Sequence, residues 1–154
     1  MNRPLFLYLL CVVQFFLGTS ALFGGGMLLF KPDGSLLNMD TDWIQDSPFK
    51  SYLIPGILLF TFNGIFPLFI LFGLIIKPKW GWANKLNIYS GIHWAWTYSL
   101  FSGIIVIAWI TVQQVLIQYF WLQPVMIFTG LLIIVFTLTP VVINYYKYHE
   151  HKNQ

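Results

Sequence analysis

Three stretches of the chain carry no charged side chain, and each is long enough to cross a lipid bilayer. They cover residues 5–30, 52–76 and 86–146. About 20 apolar helical residues span the roughly 30 Å of hydrocarbon in a bilayer. The third stretch is too long for one crossing, and the glutamines, aromatic residues and proline of 118–124 predict a turn within it. The pattern therefore predicts four spans, at about 5–30, 52–76, 88–118 and 124–146.

The predicted fold class is all-α: a polytopic membrane protein in which residues 1–154 form a single domain, a four-transmembrane-helix bundle. Residues 31–51 form the longest connection, and we place it on the outer side. The sequence Pro32-Asp33-Gly34-Ser35 predicts a tight turn there, and Asp42 before Trp43 predicts a short helical turn. The first stretch could instead be a signal peptide cleaved after Ala21, but its apolar run continues to Phe30, which favours a retained span.

The positions of lysine and arginine predict how the spans are oriented, because cytoplasmic loops are enriched in these residues. Arg3 precedes the first span, three lysines lie within 77–85, and Lys147 follows the fourth span. Only Lys31 and Lys50 fall on the other side, among four aspartates. The pattern predicts that both termini face the cytoplasm.

Composition agrees with a membrane protein and excludes a water-soluble core. The chain is 58% hydrophobic and 8% charged, with a mean hydropathy of +0.73, whereas soluble domains are about 25% charged. The net charge of +3 comes from residues dispersed at the membrane borders. Nucleic acid is therefore not an expected partner, since binding it requires a clustered basic surface.

Polar residues inside the spans are the candidate ligand-binding residues. Asn63 is foremost, because Pro67 cannot donate to its carbonyl and a kink is expected there. Helical rise places Gln14, Asn63, Thr97 and Thr137 at comparable depths, roughly 14 to 20 Å from the cytoplasmic side. These residues, with Ser99, could form a hydrogen-bonded layer that fixes the bundle, or they could line a small polar cavity that holds a ligand or water.

His93 is the only imidazole within the predicted spans, and ionisable groups in a membrane are candidates for function. It lies near the inner border among tryptophans, where aromatic residues commonly pack, so structural packing and a ligand or proton role both remain open. On the same predicted helix, small residues recur at every fourth position: Gly91, Ala95, Ser99 and Gly103. This spacing predicts a face on which another helix packs closely.

No cofactor or metal is expected. Cys11 is the only cysteine, so neither a disulfide nor a cysteine–histidine metal site can form within the chain. Asp33, Asp40, Asp42 and Asp46 invite comparison with calcium sites, but they lack the glycine and distal glutamate of an EF-hand loop.

Several motifs resemble a family of small bacterial four-span integral membrane proteins. They are Gly24-Gly25-Gly26, the loop segments Pro32-Asp33-Gly34-Ser35 and Ser47-Pro48-Phe49, Tyr52-Leu53-Ile54-Pro55-Gly56 and His93-Trp94-Ala95-Trp96-Thr97. The resemblance covers most of the chain. It implies four helices and the bacterial cytoplasmic (inner) membrane, and it implies no activity.

Three classes of function follow from these features. A non-enzymatic membrane component or accessory subunit is favoured, with membrane lipids and a membrane-protein partner or a second copy of the chain as its partners. The alternative is a lipid or small-molecule binding or transport protein with a cavity near Asn63 and His93, to which Thr97 and Gln14 would contribute. A membrane enzyme that uses the aspartates of 31–51 is the weaker alternative, since no motif of a catalytic site is present.

Overall fold

The computed structural model describes residues 3–45, 47–117 and 119–148, and this part of the chain folds as helices joined by short connections. The helices are α1 (Leu5–Phe30), α2 (Leu53–Leu58), a π-helical segment (Leu59–Ile65), α3 (Phe66–Ile76), α4 (Gly81–Lys85), α5 (Trp94–Leu116), α6 (Leu122–Leu138) and α7 (Pro140–Tyr146). Within the described ranges there is no β-strand, only one isolated antiparallel bridge between Ile92 and Lys147. The all-α prediction is confirmed.

Among the described residues, three helices are long and apolar enough to cross a membrane: Leu5–Phe30, Leu53–Ile76 (span two) and Trp94–Leu116. The pair α6 and α7 gives a fourth span if the two helices, which are bent by 63°, are taken together. We call the end of the bundle with residues 31–52 and the α5–α6 turn the loop end. The opposite end, with Arg3, residues 77–93 and Lys147, is the terminal end.

The third and fourth spans differ from their predicted limits. Helix α5 begins at Trp94 rather than at 88, because the side chain of Asn87 bonds to the carbonyls of Tyr89 and Ile92 and holds a non-helical turn. The fourth span begins at Leu122 and breaks at Thr139. Thr139 has an extended backbone (φ −60°, ψ 134°), as expected for the residue before a proline.

Span two changes its helical geometry beside Asn63, where Pro67 predicted a kink. Residues Leu59–Ile65 form π-helical turns, and the N–H of Phe66 donates to the carbonyl of Thr61, five residues earlier. Pro67 follows directly after this segment, and its nitrogen has no hydrogen to donate to the carbonyl of Asn63 in a regular α-helical bond. The backbone irregularity therefore lies where the sequence predicted it.

Glycines allow α1 and span two to lie in direct contact. A Cβ atom on Gly25 would lie 2.8 Å from the backbone nitrogen of Phe60, and one on Gly56 would lie 2.8 Å from Cβ of Leu28. Gly18 faces Leu68 and the carbonyl of Gly64 in the same way. Close backbone approach of this kind favours helix association in lipid, where burial of apolar surface supplies no net drive.

Helices α5 and α6 pack through a second glycine pair. A Cβ on Gly103 would lie 2.9 Å from the carbonyl oxygen of Gly130, and a Cβ on Gly130 would lie 3.0 Å from that of Gly103. Ala95 faces Gly73 of span two instead, and Gly91 lies outside α5 with open space beside it. The predicted face from Gly91 to Gly103 is therefore wrong at its first residue, and its other members contact different helices.

An aromatic layer closes the terminal end. The rings of Trp80 and Trp94 stack with centroids 5.6 Å apart, and Phe69 stacks on Trp94 at 5.2 Å. The Tyr146 hydroxyl donates to the carbonyl of Leu74 at 2.6 Å, and the Lys77 ammonium lies 3.3 Å from the centre of the Tyr145 ring. These contacts fix α7 against the end of span two.

Candidate functional site

A cavity of about 760 Å³ lies at the loop end between the helices, and we call it the chamber. Its walls are the second half of α1, the first half of span two, the second half of α5 and the start of α6. Several residues of the loop between α1 and α2 also line it, including Leu37, Met39, Trp43 and Ile44. Most of its surface is apolar, so the chamber suits the hydrocarbon part of a ligand.

Tyr52 anchors the loop that borders the chamber through two hydrogen bonds. Its backbone N–H donates to the carbonyl of Pro32 at 2.8 Å, and its hydroxyl donates to the carbonyl of Asp40 at 2.7 Å. Gly34 (φ 81°) lies against the Tyr52 ring, in a left-handed conformation that favours glycine. Burial, together with the nearby Asp40 carboxylate, raises the pKa of Tyr52 to about 12, so the hydroxyl remains a donor at neutral pH.

Four polar side chains that line the chamber have atoms without a hydrogen-bond partner among residues 3–45, 47–117 and 119–148. Asn63 lacks partners for both amide atoms, Trp109 for its indole Nε1, Gln113 for Oε1 and Gln123 for Nε2. Asn63 is 1% exposed and Gln123 is 0% exposed, so their amides are covered both from outside solvent and from the chamber itself, and a ligand in the chamber bonds to them only after neighbouring side chains shift. A buried unpaired polar group costs about 1–3 kcal/mol, and four around one cavity are unusual.

These groups come from different helices that line the chamber. Trp109 and Gln113 are four residues apart on α5 and therefore share a face, about one turn apart. Gln123 lies in the first turn of α6, across the turn that joins the two helices. Asn63 lies on span two, about 15 Å along the helix from Leu53. Donors and acceptors thus come from span two and from the α5–α6 hairpin.

The chemistry of the lining is neutral. No charged side chain lines the chamber among the described residues. The unpaired groups comprise N–H donors on Asn63, Trp109 and Gln123 and carbonyl acceptors on Asn63 and Gln113. A charged group would lose its hydration here without gaining a counter-ion, so the arrangement suits an uncharged ligand with oxygen atoms.

Gln14 belongs to a closed hydrogen-bond network below the chamber. Its Nε2 donates to Oγ of Ser99 at 3.1 Å, and its Oε1 accepts from Oγ of Ser102 at 3.2 Å. Ser99 in turn pairs with the hydroxyl of Thr137 at 3.0 Å. The predicted polar layer therefore joins α1, α5 and α6, whereas Asn63, which lines the chamber, and Thr97 lie outside it.

His93 and Thr97 lie near the terminal end and do not line the chamber. The Nδ1 atom of His93 accepts from the N–H of Ala95 at 3.3 Å and caps α5, while Nε2 lies 3.2 Å from the carbonyl of Pro78. The Thr97 hydroxyl donates to the side-chain carbonyl of Asn87. Of the four predicted ligand-binding residues, the structure brings only Asn63 to the chamber.

The bonding of His93 predicts a pH dependence of stability. An imidazole that accepts at Nδ1 and donates from Nε2 is neutral, and burial lowers the pKa of His93 below its usual value. Because the pKa of His93 is lower in the folded state, neutral His93 contributes its full stabilisation of the folded protein above the unfolded-state pKa, about 6.5. This contribution is lost as the pH falls through the folded-state pKa. We expect the melting temperature to fall between pH 7 and pH 5 in detergent.

The control is His93→Gln, which cannot titrate and can still offer a side-chain acceptor for the cap. Its melting temperature should change less over the same pH interval than that of the unaltered protein. Equal changes in both proteins would show that other groups cause the dependence.

Two aspartates of the loop, Asp33 and Asp40, accept hydrogen bonds from backbone N–H groups. Asp33 accepts from the N–H of Ser35 at 3.0 Å, and this bond lowers its pKa. Asp40, rather than Asp42, caps the short helical turn Thr41–Ile44. Asp46, the fourth candidate, lies outside the described residues. Across the described residues, no three His, Cys, Asp or Glu side chains are grouped so that they could hold a metal.

Sequence reasoning did not single out Trp109 or Gln123 as binding residues. Trp109 was one aromatic residue among many, and Gln123 was assigned to a turn, although it lies in the first turn of α6. Gln113 and Gln114 are adjacent and look equivalent in the sequence, but Gln114 is exposed and only Gln113 lines the chamber. The presence of glutamines near the end of an apolar helix was the available signal.

No protein-family model, curated protein or solved structure matches this chain. The chamber and its polar groups are therefore the features of this protein that bear on its function.

Proposed function

We propose that this protein is a membrane component that binds one uncharged amphipathic molecule, of the size of a small lipid, in the chamber. The observation that carries the proposal is the set of unpaired polar atoms on Asn63, Trp109, Gln113 and Gln123. Proteins rarely leave buried donors and acceptors without partners, and a ligand that supplies the missing bonds removes the cost.

The size of the chamber supports this proposal. A volume of about 760 Å³ lies within the range of about 300–1,000 Å³ that is typical of small-molecule sites. Apolar walls with a few polar groups are also the usual composition of such sites.

A ligand can enter from the lipid. Phe16 and Phe23 on α1 line the chamber and are also exposed on the surface of the bundle, and so are Val112 on α5 and Trp121 before α6. The chamber therefore reaches the lipid-facing surface between α1 and the α5–α6 hairpin. The network of Gln14, Ser99 and Ser102 closes the opposite side, one turn below the lining residues Leu17 and Val106.

Binding rather than catalysis is the proposed role. The polar groups of the described lining are amides, hydroxyls and indoles, which are weak acids and bases at neutral pH. The proposed location is the bacterial cytoplasmic membrane, with the terminal end in the cytoplasm. Arg3 and the lysines at 77, 79, 85 and 147 support this orientation.

A substitution that fills the chamber tests the proposal. A Cβ on Gly24 would meet only Leu59, at an ordinary 3.7 Å, and Gly24 lines the chamber. In Gly24→Phe the ring should point toward Ser20 and Ala21, which also line the chamber, because helical side chains lean toward the N-terminus. We expect the unaltered protein, purified in mild detergent, to carry a neutral amphiphile detectable by native mass spectrometry, and Gly24→Phe to lose about tenfold or more in occupancy.

The matched control is Gly26→Phe, two residues further along the same helix. Its Cβ would meet only the edge of the Phe60 ring at 3.9 Å, and Gly26 does not line the chamber. This variant should retain the bound molecule. The proposal fails if the unaltered protein carries no amphiphile, or if Gly24→Phe retains as much as Gly26→Phe.

A further inference from the structure

We infer that the occupant of the chamber is a quinone-type lipid, that is, a flat ring with oxygen atoms on opposite edges and a hydrocarbon tail. This inference rests on the proposed function, since it specifies which uncharged amphiphile the chamber takes. Three features of the lining carry it: the mixture of donors and acceptors, their distribution over span two and the α5–α6 hairpin, and the aromatic character of the remaining surface.

The unpaired groups match both oxidation states of such a ring. The carbonyl oxygens of a quinone accept hydrogen bonds, and Asn63, Trp109 and Gln123 have N–H groups to donate. The hydroxyls of the corresponding quinol donate, and the free oxygens of Asn63 and Gln113 accept. Because the amides offer both kinds of group, the chamber holds either form without a change in its own protonation.

The distribution of the groups fits a molecule whose oxygens point in opposite directions. Asn63 lies on span two, the other three residues lie on the α5–α6 hairpin, and all four line the chamber. Both Asn63 and Trp109 line the chamber, and they lie on different helices. A ring placed between them offers one oxygen to each helix. The oxygens of an acylglycerol are instead gathered at one end of the molecule.

Aromatic side chains form much of the remaining lining, and flat rings pack favourably against them. Those of the described residues that line the chamber include Phe16, Phe23, Trp43, Trp109, Phe120 and Trp121. A saturated lipid chain gains no comparable stacking. The absence of charged side chains among the described lining residues also disfavours phospholipid headgroups, which carry charge.

Separate titrations with matched probes test the inference. The purified full-length protein in mild detergent is titrated with a short-chain alkyl benzoquinone, with its reduced form, and with a monoacylglycerol of the same chain length. Binding is followed by the rise in melting temperature and, for the oxidised ring, by quenching of tryptophan fluorescence. We expect both ring forms to bind about tenfold or more tightly than the monoacylglycerol.

Two substitutions locate the ring. Asn63→Leu removes the amide on span two and Gln123→Leu removes one of the two on the α5–α6 hairpin, and each should weaken ring binding by up to about tenfold, the value of one hydrogen bond in a buried site. Asn84→Leu is the matched control, because Asn84 is an exposed amide at the terminal end. It should bind the ring as the unaltered protein does.

The outcomes separate this inference from the proposed function. If the monoacylglycerol binds as tightly as the rings, the inference is overturned while the chamber remains a site for a neutral amphiphile. If no probe binds, both are overturned. Ring binding that both chamber substitutions leave unchanged would place the ring elsewhere and would also overturn the inference.

Discussion

Replacing Gly25 with leucine is expected to destabilise the bundle more than any other substitution considered for this protein. A Cβ at this position would lie 2.8 Å from the backbone nitrogen and 2.9 Å from Cα of Phe60, so backbone atoms would have to move apart. Overpacking of this kind costs about 1–3 kcal/mol or more, from a total stability of about 5–15 kcal/mol. We expect the melting temperature in detergent to fall by roughly 5–10 °C.

Gly26→Leu is the control for Gly25→Leu, since it adds the same side chain to the next residue. The only atom within 4 Å of its Cβ would be an edge carbon of the Phe60 ring, at 3.9 Å. Its melting temperature should stay close to that of the unaltered protein. If the two variants were equally stable, the close contact between α1 and span two would not exist in the membrane.

Asn63→Leu is expected to make the empty protein more stable while it impairs ligand binding. Both amide atoms of Asn63 are buried without partners, so their removal should relieve about 1–3 kcal/mol. The melting temperature of lipid-stripped protein should rise by roughly 2–10 °C. The amount of co-purified amphiphile should fall, because the ligand loses its bonds to span two. A gain in stability with a loss of binding is the signature of a residue kept for function.

Gln14→Leu provides the contrast, since it removes an amide whose two atoms are both bonded. Ser99 and Ser102 would each lose a partner in a buried position, so the melting temperature should fall. If Asn63→Leu lowered the melting temperature to the same extent, Asn63 would have partners in the folded protein, and the chamber would not be a site with unpaired groups.

Much of the bundle could be predicted from the uncharged stretches. Helix α1 covers Leu5–Phe30 and span two covers Leu53–Ile76, which agree with the predicted limits to within one residue. Span two also changes geometry next to Pro67, where the missing N–H required it. These features follow from bilayer thickness and backbone hydrogen bonding, which depend on local sequence alone.

The rest depends on how the helices are rotated against each other. Asn63 and Gln14 were expected in one layer because helical rise predicts depth, but it does not say which neighbour a side chain faces. Trp109 and Gln123 become binding candidates only when the α5–α6 hairpin is placed opposite span two. The break at Thr139 is a different case, because it follows from the local restriction that Pro140 places on the preceding residue, and the sequence therefore contains its signal.

The π-helical segment also changes the direction in which the later side chains of span two point. A π-helical turn carries one residue more than an α-helical turn, so everything after Leu59–Ile65 is rotated by about 100° relative to an unbroken helix. Asn63 and Gly64 can therefore point inward at the loop end, while Gly73 still meets Trp94 and Ala95 near the terminal end. One extra residue thus lets a single helix present two separately oriented faces, one to the chamber and one to the aromatic layer.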